Sequence, residues 1–157
     1  MAYPHTEYEV GMMTSGAITA GGVVGPNSIP LNASGSGTRG TGRWSPGAVP
    51  HIIRNVGVIP LTTNVYVTKP VISFRTGNSG VTALTTGNQI TTITLASVAA
   101  QGKPYYKSAL LNTIVNPGSD VGVVLTTKAT VAGRARIVLY VEPKWETPAN
   151  LTRMVAG

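Results

Sequence analysis

The run from Asn116 to Glu146, NPGSDVGVVLTTKATVAGRARIVLYVEPKWE, constrains the fold more than any other stretch. Its first half sets Val121, Val123, Leu125, Thr127 and Ala129 at every second position, and its second half repeats the pattern with Ala135, Ile137, Leu139 and Val141. Side chains of a strand alternate between its two faces. Each run therefore offers one apolar row to a core and sends Arg134, Arg136, Tyr140 and Glu142 to the other side. The spacing predicts a hairpin turning at Val131-Ala132-Gly133, which is half of a β-sandwich and not an active site.

The rest of the chain extends this reading. From Val49 onward, short β-branched runs bounded by Pro, Gly or Asn predict strands near 51–59, 63–68, 71–75, 80–85, 89–95, 103–110, 121–130 and 134–142. Pairs at period two, Val65/Val67, Ile72/Phe74 and Ile93/Leu95, are expected to point inward. A helical reading fails because β-branched residues dominate and Pro or Gly interrupts within ten residues. Eight closely spaced strands are the count of a two-sheet jelly roll. The expected fold is all-β: an antiparallel, jelly-roll-like β-sandwich over residues 49–143.

Residues 1–48 join one candidate strand, Ala17 to Val24, to GPNSIP and to the aperiodic ASGSGTRGTGRWSPG. This composition predicts an extended Gly-rich arm that gains order from neighbouring subunits. The tail 144–157 spaces Trp145, Leu151, Met154 and Val155 among polar residues. It is too short for its own core and is expected to lie across a surface. Arg39, Arg43, Trp44, Trp145, Leu151, Arg153 and Met154 are the interface candidates, the two tryptophans foremost because each offers roughly 150 to 250 Å² for burial.

Charge and composition remove several functional classes. With no cysteine there is no disulfide framework, thiolate metal site or cysteine nucleophile. The longest weakly polar run, residues 16–25, falls short of the roughly 18 apolar residues of a membrane span, so a soluble protein without an export signal or membrane partner is expected. The net charge of +7 is uneven: residues 1–38 hold Glu7 and Glu9 and no cation, whereas residues 39–157 hold all twelve Lys and Arg with three acids. A basic body favours acidic partners.

No enzyme is expected. Gly35 to Gly40 spell G-x-G-x-x-G, but Trp44-Ser45-Pro46-Gly47 follows where a phosphate-binding helix would have to start. The two histidines, His5 and His51, could serve a triad only by recruiting Asp120, whose Pro-Gly-Ser-Asp setting is explained by bonds to nearby backbone N–H groups. Glu7 and Glu9 have no third ligand nearby for a cation. Catalytic, cofactor and metal sites are all expected to be absent. Direct nucleic-acid contact through Arg39, Arg43 and Trp44, or through Arg134 and Arg136, is weighed and not expected.

The C-terminal third also resembles a known class. Pro117, Gly118, Asp120, Thr126, Thr127, Glu142, Pro143, Pro148, Ala149 and Asn150 follow the order of a Pro-Gly-Ser/Asp turn, a Val-rich strand ending in Thr-Thr, a strand ending in Glu-Pro, and a closing Pro-Ala-Asn segment. Over residues 104–157 this resembles the jelly-roll decoration or cement proteins of tailed-bacteriophage capsids. The resemblance implies a non-enzymatic virion protein, a homodimer or homotrimer, that binds the major capsid protein and stabilises the shell. The competing expectation is a receptor- or carbohydrate-binding β-sandwich of a phage fibre or appendage.

Overall fold

A computed structural model describes residues 8–14, 27–28, 31–33, 43–78, 88–127 and 133–144. They form twelve strands: β1 (Tyr8–Thr14), β2 (Asn27–Ser28), β3 (Leu31–Ala33), β4 (His51–Pro60), β5 (Asn64–Val65), β6 (Val71–Asn78), β7 (Gln89–Thr94), β8 (Val98–Ala99), β9 (Tyr105–Tyr106), β10 (Thr113–Val115), β11 (Ser119–Thr127) and β12 (Ala135–Pro143). One sheet runs β10-β4-β12-β1-β3, with β9 also on β4; a second runs β2-β11-β6-β7; β5 and β8 make a separate two-stranded ribbon. Every pairing is antiparallel, and no α-helix occurs among the described residues. The protein is therefore all-β, and no helix among the described residues is long and apolar enough to cross a membrane.

The two large sheets share one buried cluster. Ile53, Val56, Val58, Ile137, Leu139 and Val141 come from the first, and Ile72, Phe74, Ile93, Val121, Val123 and Leu125 from the second. The alternating rows of β11 and β12 thus face inward as their period of two requires. On β4 the spacing from Ile53 to Val56 breaks that period. A register shift opposite Tyr140/Val141 absorbs the extra residue, so that both Ile53 and Val56 reach the core.

Two sequence expectations need correction, and burial extends further than the inward rows alone. β11 and β12 are not a hairpin: β11 pairs with β6 and β2, while β12 pairs with β4 and β1. The two strands belong to different sheets, and two adjacent alternating runs are equally compatible with either arrangement. Outward-facing positions are also covered, since Val138, Ser73 and Arg75 are as buried as the core rows. Finally, Val65 and Val67 point outward at 62% and 89% exposure, because Tyr66 between them, at 2%, takes the inward phase. The larger side chain removes more apolar surface from water.

The first 48 residues are not wholly separate from the body. β1 lies between β12 and β3 inside the large sheet, in register from Tyr8 opposite Val141 to Met13 opposite Arg136, and β2 extends the second sheet. Strand formation by 8–14 follows from the open edge that β12 offers: a row of backbone groups that must find partners. The expected strands at 63–68 and 103–110 shrink to the two-residue β5 and β9, and those at 17–24 and 80–85 lie outside the described residues.

One tyrosine pair on the outer face of the large sheet gives a pH prediction. The Tyr140 hydroxyl donates to the Tyr106 hydroxyl at 3.2 Å, and the rings meet edge to face at 5.8 Å. Gly57 makes the approach possible, because a Cβ there would run into the Tyr106 ring. The hydrogen bond to Tyr106, followed by burial and the nearby Glu9 carboxylate, pushes the Tyr140 pKa up to about 12. An unfolded tyrosine loses its proton near pH 10. The contribution is therefore complete below pH 10 and lost as pH rises from there to about 12. Tyrosinate absorbance during alkaline titration should show more than one late step, because burial also raises Tyr8 and Tyr66, and Tyr140→Phe should remove one of them and flatten the fall in stability over that window. Complete titration of the folded chain by about pH 10 would contradict this.

Candidate interaction site

Two ends of the body gather the side chains of interest. The ten residues of β4 separate them, a length of about 30 Å.

At the His51 end, segments distant in sequence are tied together by polar and aromatic contacts. The turn Asn116-Pro117-Gly118-Ser119 starts β11: Pro117 presets its second position, Gly118 takes φ +85°, and the Ser119 N–H returns to the Asn116 carbonyl at 3.0 Å. This places Asp120 and Val121 beside Trp44. Trp44 exchanges two backbone hydrogen bonds with Val121, at 3.0 and 2.7 Å, and packs half-buried against the core cluster. Arg43 pairs with Asp120 at 3.3 Å.

His51 stands at the centre of this end. Its Nδ1 lies 2.7 Å from the Val49 carbonyl, which only accepts, so Nδ1 carries the proton and Nε2 accepts from the Tyr8 hydroxyl at 2.8 Å. Burial pushes the Tyr8 pKa up, which keeps that donor in place. Tyr8 and Trp44 both meet the imidazole edge-on, with centroids 5.7 and 5.5 Å away. The imidazole thus ties β1, the segment before β4 and β4 itself together.

The expected role of Asp120 as a turn cap is replaced by its pairing with Arg43, and Arg136 reaches back to Glu9 at 2.6 Å. Glu142 accepts from Arg54, whose guanidinium also contacts Asn112. All three carboxylates among the described residues are thus paired with arginines. No three His, Asp or Glu side chains there gather into a group that could hold a metal ion.

Of the sequence-derived interface candidates, Arg43 and Trp44 meet at this end. Arg39, Trp145, Leu151, Arg153 and Met154 lie outside the described residues, as do His5, Glu7 and the G-x-G-x-x-G letters.

The opposite end carries the feature that pattern reading missed. Val65 of β5 and Val98 of β8 are directly paired, and with Val67 they stand out at 62%, 56% and 89% exposure. Behind them Tyr66 and Ala99 are buried in the core cluster. The signal was present in the sequence as an aromatic between two valines, which sets the inward phase by size.

No protein-family model matches the chain, and no curated protein matches it.

Proposed function

We propose that the two sheets form a jelly-roll-like β-sandwich that acts without catalysis, as a virion protein binding and stabilising the capsid shell of a tailed phage. One observation supports this reading above the rest: Val65 and Val98 stand exposed on a ribbon whose other face is locked into the core, with Val67 exposed just beyond it. Burying such side chains is worth about 1.5 kcal/mol or more each, which favours a partner surface over water. A rigid ribbon loses little conformational freedom on docking. Repeated over the symmetric sites of a shell, a modest contact of this kind becomes strong attachment.

In this reading the His51 end braces the body, where an imidazole and a carboxylate that could have served chemistry are engaged in holding strands together. Arg39, Trp145, Leu151, Arg153 and Met154 contact neighbouring subunits of a homodimer or homotrimer or the major capsid protein, and direct nucleic-acid contact plays no part.

The test is sedimentation of the full-length chain with DNA-free shells of the tailed phage that encodes it. The chain should travel with the shells at a fixed copy ratio and raise their melting temperature. A chain that stays at the top of the gradient over a range of salt concentrations would refute the reading.

A further inference from the structure

We infer that the end bearing Val65, Val67 and Val98 docks onto an acidic protein surface with an apolar centre, supplied by a different protein and not by a second copy of this chain. The inference rests on the shell-binding reading and adds the chemistry of the partner.

The apolar centre comes first. Val65 and Val98 are opposite each other across β5 and β8, a separation at which the two side chains touch. The ribbon is fixed from several directions: the Tyr66 N–H donates to Ser97 at 2.6 Å, the Leu95 N–H to Pro70 at 3.1 Å, and the Gln101 N–H to the Thr63 hydroxyl at 3.0 Å. Val65 and Val98 are thus held in place before any partner arrives, and Val67 directly follows the anchored Tyr66.

Three separate segments then bring a cation to this same end. Lys69 directly precedes Pro70, whose carbonyl holds Leu95. Lys103 follows Gly102, which donates to the Pro60 carbonyl at 2.9 Å. The Arg134 carbonyl accepts from Leu61 at 2.9 Å. All three cationic residues are exposed, and the three ion pairs among the described residues use other arginines, Arg43, Arg54 and Arg136. Nor can nearby sequence compensate Lys69 and Lys103, because no Asp or Glu occurs between Glu9 and Asp120, and the Glu142 carboxylate nearest Arg134 in sequence is taken by Arg54.

Complementarity selects the occupant. A second copy would bring the same cations to the contact and a net charge of +7 of its own. A nucleic acid would satisfy Lys69, Lys103 and Arg134 but leave three valines against phosphates and sugars. Carboxylates around an apolar patch match both parts, covering the valines while cations at the rim steer the approach.

The experiment uses the full-length chain and a fluorescent short peptide alternating glutamate and leucine, read by anisotropy, with the same peptide carrying lysine for glutamate as control. The glutamate peptide should bind and the lysine peptide should not. Both the triple variant Val65→Ser, Val67→Ser, Val98→Ser and the triple variant Lys69→Glu, Lys103→Glu, Arg134→Glu should weaken binding at least about tenfold, with circular dichroism unchanged. Equal binding of the two peptides, or a serine variant that binds like the parent, overturns the inference. So does self-association on concentration that the serine variant abolishes, or capture by DNA or anionic phosphatidylglycerol vesicles that is tighter than the glutamate peptide and indifferent to the valines.

Sedimentation separates the two readings. If shells carry the parent and both triple variants equally, shell binding stands and this surface is not its contact. If the peptide binds as described but no variant or parent travels with shells, the docking chemistry stands and the shell reading falls.

Discussion

Phe74→Ala is expected to lower stability by about 3 to 5 kcal/mol, the largest loss of any single truncation in this core. Phe74 is the only phenylalanine of the chain, it is completely buried, and it sits on β6 between β11 and β7 with Val123 as its cross-strand neighbour. Its ring belongs to the cluster that joins both sheets, so removal opens a cavity between layers and not merely within one. Neighbouring strands cannot close that cavity cheaply, because β11 is held by ladders to both β6 and β2 and β7 by its ladder to β6. Against a total of about 5 to 15 kcal/mol for a domain, the loss is a large fraction. It should appear in urea unfolding as a lower midpoint with unchanged slope, and as a fall in melting temperature on the order of 10 °C. A change below about 1 kcal/mol would mean that the two sheets do not share this core.

The inward rows were legible because their cause is local. Ile137, Leu139 and Val141, like Val121, Val123 and Leu125, obey the period of two and are buried accordingly. What escaped depends on information outside any one segment. The bulge opposite Tyr140/Val141 exists because β4 must satisfy a partner's register, and HIIRNVGVIP does not display it. The cover over Ser73, Arg75 and Val138 comes from other parts of the chain, so their own alternation predicts exposure and the fold overrides it. Val65 and Val67 were misjudged for a different reason. Alternation gives two phases, and only side-chain size, here Tyr66, decides between them. As for the candidate site, Arg43 and Trp44 could be singled out as residues that need partners, and within the chain they meet Asp120, Val121 and His51. Contacts separated by about 75 residues have no local signature.

A chain that starts at residue 49 is expected to lose cooperative folding altogether, although composition alone marks residues 1–48 as an arm. The reason lies in what the arm supplies. β1 contributes a ladder of six paired positions to β12 and places β12 in the interior of its sheet; without it β12 becomes an edge, and the backbone groups facing Tyr8 to Met13 are left to water. At about 0.5 to 1.5 kcal/mol per backbone hydrogen bond, that ladder alone is comparable with much of a domain's stability. The same cut removes β2 from β11, the two backbone bonds of Trp44, the pairing of Arg43 with Asp120, and the Tyr8 donor to His51. Asp120 would also lose its arginine partner. Thermal unfolding of the 49–157 chain followed by circular dichroism should show no sharp transition. Adding a synthetic peptide of residues 1–48 in trans should restore one, since the missing strands can complete the ladder from outside. If the shortened chain melts cooperatively within a few degrees of the full one, then the N-terminal strands decorate a body that stands without them. The sheet order β10-β4-β12-β1-β3 would then not be the one on which stability depends.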